Sequence, residues 1–425
     1  QKTFLNINEQ FFHPLPQMPK NYIDKGYFIK AIDTFADIEG DMIGFKPLHP
    51  YKKPDSETGY WNLLPEKENA TARQIVEYAK KKGISYGFYM GVAAHGKEGN
   101  SAGLSFRPDK KSWKKVDVQG RRAPDNCIGD DEFYEWWFRV QDNTIKKYKL
   151  SNWSWDPSLG SAMNCYNEKH GHIAGKGAYK GWRRCIELTG RLKEKNPELY
   201  ILGYYGTKNF GLWGLKHTDQ HQAYNEQTAI VSSHHTQISD DRQNADGIRF
   251  QNYWCMRFRF LPTVLGNSYV HRMSEGVFDR ELVKAWDFYG WQYSLLSSIA
   301  VSGSAMPAIL PYESDLVPEY KQFYKKWTRW AKKNFQYIKY TEPFGEQVQQ
   351  GSVDGYARIK DDHGFIFLFN GNPRPSEITF EVGDEINLQQ EGNYEFVELY
   401  PSDEGKLVLD NQGKSVFALG QEARL

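Results

Sequence analysis

Along most of the 425-residue chain, stretches with a two-residue hydrophobic period alternate with stretches whose apolar positions return every three to four residues. YFIKAID (27–33), MIGFKPL (42–48) and ISYGFYMGV (84–92) read as strands, and ATARQIVEYAKKKG (70–83) reads as a helix closed by its glycine. DDEFYEWWFRVQDNTIKKY is a helix opened by Asp130 and Asp131. It leads into KLSNWSWD, where Asn152 and Ser154 alternate with Trp153 and Trp155 before the strand stops at Asp156-Pro157. GAYKGWRRCIELTGRLKEKNPE is a helix ended by Asn196-Pro197, and LYILGYY is the next strand. TAIVSSHHTQISDD (228–241) is extended and ends in carboxylates. A helix over 245–260, an extended TVLGNSYVH and a helical ELVKAWDFYGWQYSLLSSIA follow, then a short apolar stretch at 306–310 and a long last helix within SDLVPEYKQFYKKWTRWAKKNFQYI.

About eight strands with intervening helices predict a closed (β/α)8 TIM barrel over residues 20–340 rather than an open doubly wound sheet. No GxGxxG follows an early strand, which disfavours a dinucleotide fold. After Thr341 the pattern becomes short and alternating, predicting a small antiparallel β-sandwich domain over 341–425. Asp361-Asp362-His363-Gly364 and Asn370-Gly371 are its expected hairpin turns. The stripe Tyr324, Trp327, Trp330, Phe335 on the last helix is expected to pack against the barrel or this β domain.

Charge narrows the partners. Lys plus Arg is 54 and Asp plus Glu is 53, so the net charge of +1 leaves no footprint for nucleic acid. SLLSSIAVSGSAMPAIL, the longest apolar candidate, is broken by Gly303 and Pro307, so no membrane insertion is expected. The chain opens on Gln1 rather than methionine, which implies a removed leader or tag and an exported, periplasmic or extracellular protein. Cys127, Cys165, Cys185 and Cys255 show no CxxC spacing, so zinc-ribbon and thioredoxin chemistry are disfavoured while disulfides stay open. Aromatic residues make up 15% of the chain, with 13 Trp and 27 Tyr, which suits either sugar stacking or large aromatic cores. KKSWKK (110–115) reads as a solvated loop.

In a barrel, functional side chains gather where strands end, because those loops vary without disturbing the core. Asp156 ends one strand, and Asp240 with Asp241 ends a later one. Two carboxylates on separate strands can flank a glycosidic bond, one attacking the anomeric carbon and one protonating the leaving oxygen. Rim aspartates also serve as helix caps, which is the structural alternative for each.

KKYKLSNWSWDPS resembles the nucleophile strand of the α-galactosidase (melibiase) glycosidases, where Lys-Trp-Asp closes the fourth barrel strand. Trp155 and Asp156 match, and Ser154 stands in place of the lysine. QISDDRQNADGIRFQNY is similar to the family's sixth-strand segment, which carries the acid/base: Ser239 and Asp240 match, Gln237 and Ile238 do not. GISYGFYMGV, DNCIGDDEFYEWWFRV and NPELYILGYYG are similar to other barrel segments in the same order.

The resemblance implies an α-galactosidase-like glycoside hydrolase that cleaves a terminal α-linked sugar by a retaining double displacement, with Asp156 as nucleophile and Asp240 as acid/base. Retention requires the two carboxyls roughly 5 to 5.5 Å apart. Trp153 and Trp155 are candidates for the sugar platform, although one of them is as well explained as packing against helices. Asp33 and Asp37 stand nearest to the family's acidic pair after strand one. Tyr205 and Lys208 replace its segment after strand five, and Asp241, which also competes with Asp240 for the acid/base role, Arg242 and His235 complete the substrate-binding candidates. The partner implied is an oligo- or polysaccharide, with no cofactor and no metal. A non-catalytic sugar-binding relative is one alternative, and a metal-dependent hydrolase another. Against the second, His170-Gly171-His172 lies in a loop after the supposed fourth strand rather than at the end of the first.

Overall fold

The structure is a computed structural model. It describes residues 25–45, 66–91, 110–156, 164–203, 213, 216–222, 246, 249–250, 253, 265–266, 270–271, 290–301, 307–308, 318–338, 340–349, 352–371, 376–390, 392–400, 406–410 and 414–419. The chain falls into two compact units, Asn8–Gln222 with Leu310–Ser314, and Ala223–Ile309 with Asp315–Leu425 and the first seven residues. The domain boundary expected near residue 340 lies inside the second unit.

In the first unit the described elements run α1 (Lys25–Asp37), β1 (Met42–Phe45), α2 (Glu66–Lys81), β2 (Ser85–Gly91), β3 (Lys114–Val116), β4 (Arg122–Asn126), α3 (Asp131–Tyr148), β5 (Asn152–Asp156), α4 (Gly177–Lys195), β6 (Tyr200–Gly203) and β7 (Gln220–Gln222). Strands β1, β2, β5, β6 and β7 lie side by side in that order, all parallel. This is an α/β unit with helices between parallel strands. The register between β2 and β5 sets Gly87 opposite Asn152, and it requires the glycine: a Cβ at 87 would lie 1.8 Å from Asn152 Oδ1.

Helix boundaries follow local chemistry. Ala72, Ile75, Val76 and Ala79 of α2 are buried at helical spacing, and the chain leaves the helix through Gly83 at φ +77. In α3 the Asp130 side chain accepts from the Phe133 N–H at 2.8 Å, an N-cap ahead of Asp131 and Glu132 in the first turn. The helix ends at Lys149, in the left-handed region at φ 52. Arg191 of α4 makes a bidentate pair with Glu135 of α3 at 2.7 and 2.9 Å, tying the two helices together.

Two expectations for the first unit need correction. YFIKAID belongs to helix α1 and not to a strand: the buried apolar positions are Ile32, Phe35 and Ile38, three apart, a period that a seven-residue window cuts short. KKSWKK is not a solvated loop. Trp113, Lys114 and Lys115 are buried, and the Trp113 indole N–H donates to Glu132 at 2.7 Å, so aliphatic stems and an indole pack while Lys111 stays exposed.

In the second unit, β8 (Leu265–Gly266) and β9 (Val270–His271) are short, and β9 pairs in parallel with β10 (Pro307–Ala308); α5 (Gly290–Val301) and α6 (Pro318–Lys333) are its two longer described helices. The short helix α7 (Phe335–Ile338) then leads to the antiparallel strands β11 (Glu342–Gly345), β12 (Val353–Lys360), β13 (His363–Asn370), β14 (Ser376–Glu381), β15 (Asn393–Val397), β16 (Lys406–Asp410) and β17 (Lys414–Leu419). Their apolar core includes Phe344, Val353, Ile378, Phe380 and Ile386.

The turn at Asp361-Asp362 joins β12 to β13 as expected, with Asp361 at φ 60. Asn370-Gly371 is not a hairpin turn, because β13 pairs with β12 whereas β14 pairs with β17. The aromatic stripe of α6 packs on the β strands: the Trp330 ring centroid lies 4.5 Å from that of Phe365. No described helix is long and apolar enough to cross a membrane.

Candidate functional site

Asp156 is the last residue of β5, in register with Gly91 at the end of β2. β5 has β2 on one side and β6 on the other, so its end lies within the parallel set rather than at an edge. Helix α3 delivers the chain to it: Lys149 reverses the direction, and the Ser151 hydroxyl meets Ser85 Oγ at 2.8 Å to fix the start of the strand.

Trp153 is wholly buried, and its indole N–H donates to Gln141 Oε1 of α3 at 3.0 Å. It is a packing residue between strand and helix, which corrects its candidacy for a sugar platform. The physical reason is the alternation of the strand, which gives one face to the helix layer. Trp155 pairs through its backbone with Met90 and Gly203.

Asp33 and Asp37 lie in α1, ahead of β1, and not in a loop after a first strand. Asp33 accepts from the Tyr78 hydroxyl and from Lys82 Nζ, both at 2.8 Å, and so ties α1 to the end of α2. Burial opposes ionisation of Asp33, but the Lys82 and Tyr78 bonds outweigh it and hold the carboxyl below its ordinary range. Its place ahead of β1 differs from the position after a first strand that the sequence led us to expect. Tyr205, Lys208, His235, Asp240, Asp241 and Arg242 lie outside the described residues.

A second constellation gathers around the His170-Gly171-His172 loop, joined by cysteines that carried no metal expectation. Cys127, directly after β4, meets Cys165, His170 and His172 from the segment between β5 and α4; one ligand-type atom from each lies within 4.8 Å of all the others. Cys127 Sγ faces His172 Nε2 at 3.4 Å, and Cys165 Sγ faces His170 Nδ1 at 3.4 Å. Cys127, Cys165 and His170 are buried and His172 is half-buried. Cys127, Cys165 and Cys185 carry free thiols.

Backbone geometry builds this centre. Gly171 sits at φ +66, which turns the chain between the two histidines, and a Cβ on Gly129 would come within 2.9 Å of His172 Cδ2. The Val116 N–H points at Cys165 Sγ at 3.5 Å, and the Cys127 N–H donates to the Trp113 carbonyl at 2.7 Å. Each histidine also has an outer partner: His170 Nε2 lies 2.6 Å from the Ser112 carbonyl, and His172 Nδ1 lies 3.0 Å from the Ile173 carbonyl.

The two thiols are shifted in opposite directions. Hydrogen bonding from Cys127 holds Cys165 below its ordinary value, with His170 and backbone N–H groups adding to the effect against burial. That same shared bond and burial push Cys127 well above its ordinary value. The sequence signal that could have found the centre is Cys165-x4-His170-x-His172 in a glycine-bounded loop. Its fourth member is 38 residues upstream of Cys165 and joins only through the fold.

No protein-family model and no curated protein matches the chain. Solved structures do. The galactosidase domain of the α-galactosidase–sucrose kinase AgaSK aligns over 93% of this chain and 52% of its own at TM-score 0.62 and 13% identity. The chain shares its fold with glycosidases. An Anoxybacillus α-amylase aligns at TM-score 0.57 and 13% identity over 93% of this chain and 90% of its own. The noncanonic maltogenic α-amylase AmyB from Thermotoga neapolitana aligns at 0.58 and 11% identity over 98% and 97%. This chain therefore spans about half of the AgaSK chain and nearly all of the two amylases. The α-galactosidase likeness read from the strand motifs and the likeness of fold agree.

Proposed function

We propose that the chain is a glycoside hydrolase that cleaves a terminal α-linked sugar, with its parallel strands forming part of a closed (β/α)8 barrel followed by a small antiparallel domain. The observation that carries the reading is Asp156 at the end of an interior parallel strand, in a chain whose fold is shared with α-galactosidases and α-amylases. Strand alternation sets Asp156 in phase with Asn152 and out of phase with Trp153, whose side chain goes to the helix layer.

In this reading the Asp156 carboxylate attacks the anomeric carbon while Asp240 gives its proton to the leaving oxygen. Water, deprotonated by Asp240, then releases the sugar with its configuration retained. The substrate is an oligo- or polysaccharide. Ser154 in place of the family's lysine removes a cationic ligand from the strand and bears on which sugar is taken.

Asp156→Asn keeps the shape and removes the nucleophile. Turnover of an aryl α-glycoside panel is expected to fall on the order of 10³-fold or more. NMR of the first-formed anomer from the wild type is expected to show retention. Undiminished turnover in the variant, or an inverted product, sinks the mechanism, and a wild type that binds sugars without cleaving any of them favours the sugar-binding alternative.

A further inference from the structure

The geometry points to a structural zinc site formed by Cys127, Cys165, His170 and His172. Zinc with thiolates at about 2.3 Å and imidazole nitrogens at about 2.0–2.1 Å in a tetrahedron sets sulfur–nitrogen separations near 3.6 Å. Both sulfur–nitrogen pairs here are at 3.4 Å, and all four ligand-type atoms lie within 4.8 Å of one another.

The outer partners are compatible with the ring tautomers that a metal needs. His170 Nε2 faces the Ser112 carbonyl at 2.6 Å and the Asn167 amide at 2.8 Å, and His172 Nδ1 faces the Ile173 carbonyl at 3.0 Å. With the ring protons on these outer nitrogens, Nδ1 of His170 and Nε2 of His172 are left for the ion beside Cys165 and Cys127. Two sulfurs and two imidazoles suit a borderline-soft cation and not calcium or magnesium, which take oxygen. Both cysteines bind as thiolates, and the protons they lose go to solvent. Four protein ligands close the coordination sphere, so the ion is structural and activates no water.

The place of the site gives it a purpose. Cys127 belongs to the connection between β2 and α3, and the other three ligands belong to the connection between β5 and α4. These connections leave the carboxyl ends of two adjacent parallel strands, and Cys165 follows Asp156 by nine residues. Zinc clamps one connection to the other. This inference does not depend on the glycosidase reading.

The test uses the full chain purified without chelator. Metal analysis is expected to give one zinc per chain, and replacement by Co²⁺ the visible bands of a tetrahedral complex with thiolate-to-cobalt charge transfer. Cys165→Ser and the milder His172→Gln should each weaken Co²⁺ binding by at least about tenfold, while Cys185→Ala, outside the cluster, should keep it unchanged. Zinc removal is expected to open the segments 110–130 and 164–176 to protease. If Cys165→Ser does not fold, the His172→Gln spectrum decides. Wild type without stoichiometric zinc, a Cys127–Cys165 disulfide in the purified chain, stoichiometric iron or copper in place of zinc, or a cobalt spectrum that ignores His172→Gln would each overturn the assignment.

Discussion

Each unit contains a buried polar centre, and the two are closed in opposite ways. In the second unit the Arg249 guanidinium, 1% exposed, donates to Asp354 at 2.7 and 3.2 Å, to Asp246 at 2.6 Å and to Ser297 at 2.7 Å. Its face also lies 4.2 Å from the centre of the Phe369 ring. In the first unit the four facing atoms of Cys127, Cys165, His170 and His172 are two sulfurs and two ring nitrogens, and the outer ring nitrogens face the Ser112 and Ile173 carbonyls. Donors and carboxylates complete one another in the arginine centre. In the cysteine–histidine centre the lone pairs converge, and a shared thiol proton or a cation must stand between them. One centre is finished by the chain itself, and the other depends on what the solution supplies.

The largest expected effect comes from unbalancing the arginine centre. Burial pushes the Asp354 carboxyl up and Arg249 pulls it back, so the pair stands on mutual charge compensation. Asp354→Ala should cost about 3–5 kcal/mol in urea unfolding, while the double change Arg249→Met with Asp354→Leu should lie much closer to wild type. A cost for Asp354→Ala under about 1 kcal/mol breaks the contrast, because that centre would then not need its partner.

Trp153 sharpens the comparison with a neutral case. Trp153→Phe keeps an aromatic side chain but shrinks the buried indole to a phenyl and strips Gln141 Oε1 of its partner, so unfolding should shift by about 1–3 kcal/mol. Hydrolytic turnover per folded molecule should hold. A large loss of turnover at intact stability would return this residue to the sugar site.

The smallest effect is expected at the surface. The Arg191 guanidinium, forked on Glu135, holds its carboxyl below the ordinary 4.5. A depressed carboxyl contributes stability above its unfolded value and loses it as pH falls through the lowered one. Both side chains are about a third to a half exposed, so Glu135→Gln should cost under about 1 kcal/mol near neutral pH. Unfolding midpoints of variant and wild type should converge on acidification, and a gap that widens instead refutes the pairing.

Much of the molecule was legible in its sequence, for local reasons. The start of α3 follows from Asp130 and Asp131; β5 follows from two-residue alternation; the Asp361-Asp362 hairpin follows from its turn residues. The misreadings share one cause, a window shorter than the structure that decides. Residues 27–33 alternate like a strand yet belong to a helix whose three-residue spacing continues to Ile38. Asn370-Gly371 has hairpin chemistry, but the strand that follows pairs with β17, 33 residues beyond β14.

By itself the sequence determined many of the helices and strands among the described residues, and it placed an aspartate where a strand ends, because capping, period and turn chemistry act over a few residues. Only the tertiary structure decided that Trp153 packs against α3, that Asp33 pairs with Lys82, and that Cys127 meets a histidine pair from another connection. Each of these outcomes depends on which elements lie side by side, and side-chain chemistry at one position carries no record of the neighbour that the fold will bring to it.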